Sequence, residues 1–178
     1  MYEIKIYKSK WQAVKIILLG SPFVAIALYD ILTHSIDMPR ALDWSSLCFF
    51  GLCIPLGLYN LFDNRPEIII NNTGIFDRQT TRDFVNWNLI ENAFVKEMRV
   101  SALSKQVFLC IMLIPGANPP LKRLKFLNKA NKSMGYGDIS ISVSQLKKQD
   151  WPKLAYLIKE MAHASISEKQ KLLLNYEQ

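Results

Sequence analysis

The sequence is poor in the side chains that build most active sites. It has two histidines, His34 and His163, far apart in the chain, and neither has cysteines or paired acids at metal-ligand spacing. Its three cysteines, Cys48, Cys53 and Cys110, form no CxxC pair and are odd in number, which excludes a disulfide framework and leaves them as small, reduced, buried hydrophobes. No GxSxG, phosphate-binding glycine–lysine loop, dinucleotide glycine pattern or HExxH occurs. Acid pairs such as Asp77 and Asp83 sit where turns are expected. The expectation is therefore a protein that is not an enzyme, with no cofactor, no metal and no small-molecule substrate. Charge is also scarce in one region: residues 16–61 carry only Asp30, Asp37, Arg40 and Asp43.

That charge-poor region holds two long apolar runs, Ile16–Leu32 and Leu47–Phe62. A bilayer core about 30 Å thick needs about 20 apolar residues at 1.5 Å rise each. The runs are read as a membrane helical hairpin, with spans at 13–33 and 44–63 and a short extracytoplasmic joint at 34–43. Residues 1–15 carry a net charge of +3 and residues 62–178 a net charge of +6, against −2 for the hairpin. Lys and Arg flanking both outer ends place both termini in the cytoplasm and the protein in the cell inner membrane. Trp11 and Trp44 mark interfaces. Small residues in the spans, Ser21 with Ala25 and Gly51 with Gly57, are candidates for close helix packing, within the hairpin or against a second copy. Pro22 predicts a kink. A rival reading exists: the basic N-terminus followed by Ala25-Ile26-Ala27 also fits a cleaved secretory leader. The apolar run continuing through Leu32 favours a retained span.

Outside the hairpin the period changes. Residues 1–12 form an N-terminal cytoplasmic segment whose alternation at Tyr2, Ile4 and Ile6 fits a short strand added to a downstream sheet. After Pro66, Glu67–Asn71 and Ile75–Arg78 read as a β-hairpin around Asn72-Thr73-Gly74. Further strands are expected at 93–100, at 106–114 (the most apolar) and at 138–143. Trp151–Ala164 repeats apolar residues at three and four, an amphipathic helix. Residues 165–178 read as a polar C-terminal tail, in which Ser165-Ile166-Ser167-Glu168 restarts a short polar helix that frays toward the end.

This order resembles the bacterial two-span membrane proteins with a pleckstrin-homology-like (PH-like) domain. The residues that carry the resemblance are Pro66–Ile75 with its turn glycine, Val85-Asn86-Trp87-Asn88-Leu89-Ile90, and Asp138–Ser142 leading into the helix. The resemblance implies a fold of membrane α-helical hairpin plus a mostly-β domain at 66–164, a bent seven-stranded antiparallel sheet closed by the C-terminal helix. It implies that Trp151 plugs one end of that barrel. It carries no activity with it.

One segment stands above background. Lys122, Arg123, Lys125, Lys129 and Lys132 place five cations in eleven residues with no acid between them. Near an anionic leaflet each is worth about 1 kcal/mol, and Leu121, Leu124, Phe126 and Leu127 at near-helical spacing could enter the interface. The plainer reading is a solvated basic loop whose leucines cover the barrel. No nucleic-acid-binding motif accompanies the charge, and no nucleic acid is expected. The functional expectation is a domain at the cytoplasmic leaflet that binds anionic lipid headgroups or a protein. The alternative is a membrane-complex subunit, homo-oligomer or immunity-type protein acting through its hairpin.

Overall fold

A computed structural model describes residues 2–33, 39–101, 104–122, 133, 135–147 and 149–176. The chain divides into two units: residues 9–65, and residues 1–8 together with 66–178.

The helical unit contains α1 (Lys10–Thr33), α2 (Arg40–Gly51) and α3 (Cys53–Phe62). Both α1, with 24 residues, and the continuous run Arg40–Phe62, with 23, are long and apolar enough to cross a membrane. At 1.5 Å per residue each reaches about 35 Å. Pro22 lies inside α1 without ending it. Leu52 separates α2 from α3 while keeping helical angles (φ −66°, ψ −23°). The break lies three residues before Pro55, which has no N–H to offer the preceding turn. The joint is shorter than the sequence suggests, because α2 already begins at Arg40. Residues 34–38, His34 among them, lie outside the described residues.

The second unit is mostly sheet. Strands β1 (Ile4–Tyr7), β2 (Pro66–Ile70), β3 (Gly74–Asp77) and β4 (Val85–Asn86) form one antiparallel sheet in that order. Strands β5 (Ile90–Ser101), β6 (Ser104–Leu113) and β7 (Ile139–Ser142) form a second. The expected single bent sheet closed by the C-terminal helix is thus corrected to two sheets, which among the described residues do not close into a barrel. The ladder stops because β4 is only two residues long and a 3₁₀ turn, Trp87–Leu89, follows it. An isolated bridge between Lys8 and Leu146, beside a Lys147 N–H donated to the Tyr7 carbonyl at 2.9 Å, ties the end of β1 to the stretch after β7.

The domain boundaries also change. The N-terminal segment is not separate from the domain: Ile4 pairs with Ile70 and Ile6 with Ile68, and Ile6 is 1% exposed. The core joins Ile6, Ile68, Ile70 and Ile75 of the first sheet to Leu109, Ile111 and Ile141 of the second. Helix α4 (Trp151–His163) covers it with Leu154, Leu157, Ile158 and Met161, and Asp150 caps the helix by accepting from the Lys153 N–H at 3.1 Å. Trp151 is only partly buried at the margin of this core. The deeply buried tryptophan is Trp87, whose indole donates to the Asn71 carbonyl at 3.0 Å. Asn71 also holds the β2–β3 turn, its Oδ1 accepting from Thr73 and Gly74 at 2.9 and 3.2 Å. Gly74 is required there, since a Cβ would come within 2.1 Å of the Val85 carbonyl oxygen.

The polar tail is a helix, α5 (Ile166–Tyr176). Glu168 caps its start, with the Ser165 N–H and hydroxyl both donating to Glu168 Oε2 at 2.8 and 2.7 Å. Leu173 is buried in the core, with Leu172 and Tyr176 against it.

Candidate functional site

The basic segment begins on a fixed anchor. The backbone around Pro119–Lys122 runs beside the β3–β4 connection: Arg82 donates to the Pro120 carbonyl at 2.7 Å, Lys122 to the Thr80 carbonyl at 2.9 Å, and Leu121 bridges Thr81. The Lys122 ammonium bonds the Arg78 carbonyl. Leu121 packs against the core, so this first leucine covers the domain. Arg82 and Lys122 are exposed at this spot. Arg123, Lys125, Lys129 and Lys132 lie outside the described residues, as do Leu124, Phe126 and Leu127.

The helical unit packs through a seam that the small-residue pairs only partly identify. On α1 the inward positions are Ala13, Ile17, Gly20, Val24, Ala27 and Asp30, with small residues at 13, 20 and 27. On α2 and α3 they include Asp43, Phe50 and Gly57. Ala13, Gly20 and Ala27, Ile17 and Val24, and Asp43, Phe50 and Gly57 recur every seven residues, the period of left-handed helix pairs. A Cβ at Gly20 would lie 2.7 Å from Cys53 Cβ, and one at Gly57 only 2.3 Å from Ile17 Cγ1. Phe23 stacks on Phe50 with centroids 4.3 Å apart. Of the four candidate packing residues, Gly57 therefore lies in the seam. Ala25 is exposed, Gly51 has open space around it, and Ser21 returns its hydroxyl to the Leu18 carbonyl at 3.4 Å. Ala25 and Gly51 face away from the seam, and Ser21 is half-buried beside it. The signal that identifies the seam is the spacing of Ala13, Gly20 and Ala27.

Sequence reasoning missed a buried charge cluster in the domain. Glu67 is 2% exposed, and its Oε1 lies 3.0 Å from the Lys8 ammonium and 3.4 Å from an Arg78 guanidinium nitrogen. Its second oxygen, Oε2, is buried without a hydrogen-bond partner among the described residues. Nothing in local composition signals this, since Lys8 and Glu67 become neighbours only through β1–β2 pairing. Close by, buried Asp77 accepts from the Thr80 N–H and hydroxyl at 2.8 and 2.6 Å.

The remaining reactive groups are separate. His163 Nε2 lies 3.2 Å from the Glu91 carbonyl oxygen. Cys110 is buried on β6, and burial pushes its thiol up to about 11 against the smaller opposing pull of Lys96. Lys96 lies over the Tyr136 ring at 4.3 Å. Among the described residues no group of three or more His, Cys, Asp or Glu converges as a metal site would require. No protein-family model, curated protein or solved structure matches the chain.

Proposed function

We propose that this chain is an integral protein of the cell inner membrane in which a two-span hairpin carries a PH-like domain at the cytoplasmic leaflet. There the domain binds anionic lipid headgroups or a protein partner, without catalysis. The observation that carries this reading is the insertion of the whole helical unit between β1 and β2, two strands of one ladder. Paired strands share a compartment, so any membrane segment between them crosses an even number of times. Two apolar helices supply that even number. The buried Ile6 supports a retained first span over a cleaved leader, because cleavage after Ala27 would remove a core strand. Lys5, Lys8, Lys10 and Lys15 before the hairpin, with the cationic domain after it, favour the cytoplasm for the domain side. The four- and three-stranded antiparallel sheets, with α4 on the core, support the PH-like reading.

Lipid binding rests on the charge of the basic segment Lys122–Lys132. The test uses the full chain in nanodiscs, because a fragment starting at residue 66 lacks β1. Hydrogen exchange of residues 121–132 is expected to slow in anionic relative to neutral nanodiscs, and to recover with salt. Neutral substitutions at Lys122, Arg123, Lys125, Lys129 and Lys132 abolish the difference. Equal exchange in both lipids would overturn the lipid part of the reading.

A second reading, a membrane-complex subunit, is favoured by the open space around Gly51 and the exposure of Ala25. Small residues on an outward helix face admit another helix closely. Gly51→Leu with Ala25→Leu then lowers the assembly size of the purified protein. An unchanged size removes that reading.

A further inference from the structure

Strand β5 is an edge: it pairs with β6 on one side, and no described strand lies on the other. Along β6 the odd residues turn to β7. The Val107 carbonyl accepts from the Val143 N–H and the Ile111 carbonyl from the Asp138 N–H, both at 3.0 Å. The even residues of β6 therefore bond β5, and Gln106 does so with Met98. The N–H and carbonyl groups of Glu97 and Arg99, on either side of Met98, are left pointing out of the sheet. Nearer its start this edge is occupied: α4 packs on β5, Ala93 is buried, and His163 Nε2 lies at the Glu91 carbonyl. From Glu97 to Arg99 the strand is exposed. We infer that this stretch pairs with the same stretch of a second copy, antiparallel and two-fold symmetric, with the two Met98 residues opposite one another. The inference is independent of the membrane reading.

Register and charge select this occupant. In an antiparallel ladder directly opposed residues exchange their bonds, so Glu97 and Arg99 must face outward-pointing residues of the neighbour. Centred on Lys96, Glu97 or Arg99, a symmetric pair sets that charge against its own copy. Centred on Met98, Glu97 faces the second copy's Arg99, and Arg99 faces its Glu97. That register gives two opposite-charge pairs, each with both of its backbone hydrogen bonds. Arg99 has a use for the incoming carboxylate. In its own chain it stands opposite Lys105, a like-charged neighbour, and it makes no ion pair among the described residues. Lys105 itself reaches Glu97, at 3.6 Å. Edge charges commonly keep a second strand away, and a run of one sign does so in every register. The alternation of Glu97 and Arg99 repels in the neighbouring registers and attracts in one, which is how a strand specifies its own copy.

The test is the mass of the full-length protein in detergent, followed by light scattering across a dilution series. The native chain is expected to dimerise. Glu97→Arg sets an arginine against Arg99 in both pairs, and Arg99→Glu sets a glutamate against Glu97. Each variant alone is expected to raise the dimer dissociation constant about tenfold or more. An equimolar mixture of the two restores both opposite-charge pairs and should dimerise like the native chain, an outcome that misfolding of either variant cannot produce. Met98→Cys puts two thiols on the symmetry axis, with Cα atoms about 4.5 Å apart in a non-hydrogen-bonded pair. Copper phenanthroline should link that variant into a disulfide dimer. It should leave unlinked the native chain and Gln106→Cys, which is exposed and one strand further from the axis. A monomeric native chain, single variants that dimerise as tightly as the native chain, a mixture no better than its components, or an unlinked Met98→Cys would each overturn the inference. A dimer indifferent to these charges and lost in Gly51→Leu with Ala25→Leu would move the contact to the helices, and would overturn it too.

Discussion

Tyr7 and Pro66 are Cα partners on neighbouring antiparallel strands, although the entire helical unit lies between them in sequence. The chain leaves the sheet at one strand end and returns beside it. The N-terminal strand is thereby part of the domain that follows the hairpin, and the stability of that domain depends on residues that precede the first apolar run.

Ile6 tests this dependence. It is 1% exposed, opposite Ile68. Ile6→Ala should cost about 3 kcal/mol, the usual loss for a buried aliphatic chain that leaves a cavity. Denaturant unfolding of the detergent-solubilised protein, followed by Trp87 fluorescence, measures it. A change below about 0.5 kcal/mol, typical of surface sites, would mean that β1 is not part of the core.

The helix seam makes opposite predictions for two glycines. At Gly57 any side chain meets Ile17, whereas at Gly51 nothing lies within 4 Å. Gly57→Val should destabilise the helix pair by about 3 kcal/mol, and Gly51→Ala should leave it intact or slightly firmer. Thermal unfolding in detergent distinguishes the two variants, and equal sensitivity at both sites would contradict the seam.

The Lys8–Glu67 pair, 3.0 Å apart, calls for a double-mutant cycle. Lys8→Met leaves the Glu67 carboxylate with Arg78 alone and should cost about 2 kcal/mol, less than a fully buried pair because a quarter of the Lys8 side chain meets solvent. Lys8→Met with Glu67→Leu should regain most of that loss. Simple additivity of the two single changes would show that the pair is not coupled.

Two titrating groups give pH signatures of opposite sign. The Cys110 thiol is pushed up to about 11 by burial, above its ordinary 9.0, so the stability it contributes is complete below pH 9 and is lost as pH rises through about 11. At pH 8 a maleimide should leave Cys110 unmodified in the folded protein and label it on unfolding. The Ser165 hydrogen bonds hold the Glu168 carboxyl below its ordinary 4.5. That contribution is complete above pH 4.5 and fades as pH falls through the lowered value. Ser165→Ala removes the hydroxyl bond and keeps the backbone one, so it should move the Glu168 titration, followed by NMR, part of the way back toward the ordinary carboxylate range. An unshifted Glu168 in the native protein would show that the cap does not form.

The features legible in sequence were those written in local periodicity. Hydropathy gave the two long helices, alternation gave β1 and β7, and the three-and-four repeat gave α4. Features set by long-range pairing were not legible. Lys8 meets Glu67 only through the β1–β2 ladder, and the split into two sheets follows from a 3₁₀ turn at Trp87–Leu89 that resembles strand in composition. The start of α5 at Ser165-Ile166-Ser167-Glu168 was legible; its packing through Leu172, Leu173 and Tyr176 was not, because its surface is mostly polar. Of the seam, Gly57 was legible as a small residue; Ala13, Gly20 and Ala27 show it only through their spacing by seven. Of the candidate lipid site, only Leu121 and Lys122 are placed, and both are held by the β3–β4 connection.

The most direct test of the central claim is sidedness. Single cysteines at Tyr2, Arg40 and Gln149, all exposed positions, are probed with a membrane-impermeant maleimide, with the unmodified sequence as blank. The hairpin reading predicts that Arg40→Cys is labelled in intact cells, while Tyr2→Cys and Gln149→Cys are labelled only after the membrane is opened. Labelling of Tyr2→Cys and Gln149→Cys from opposite sides, or of all three from one side, would contradict a two-span hairpin inserted between β1 and β2.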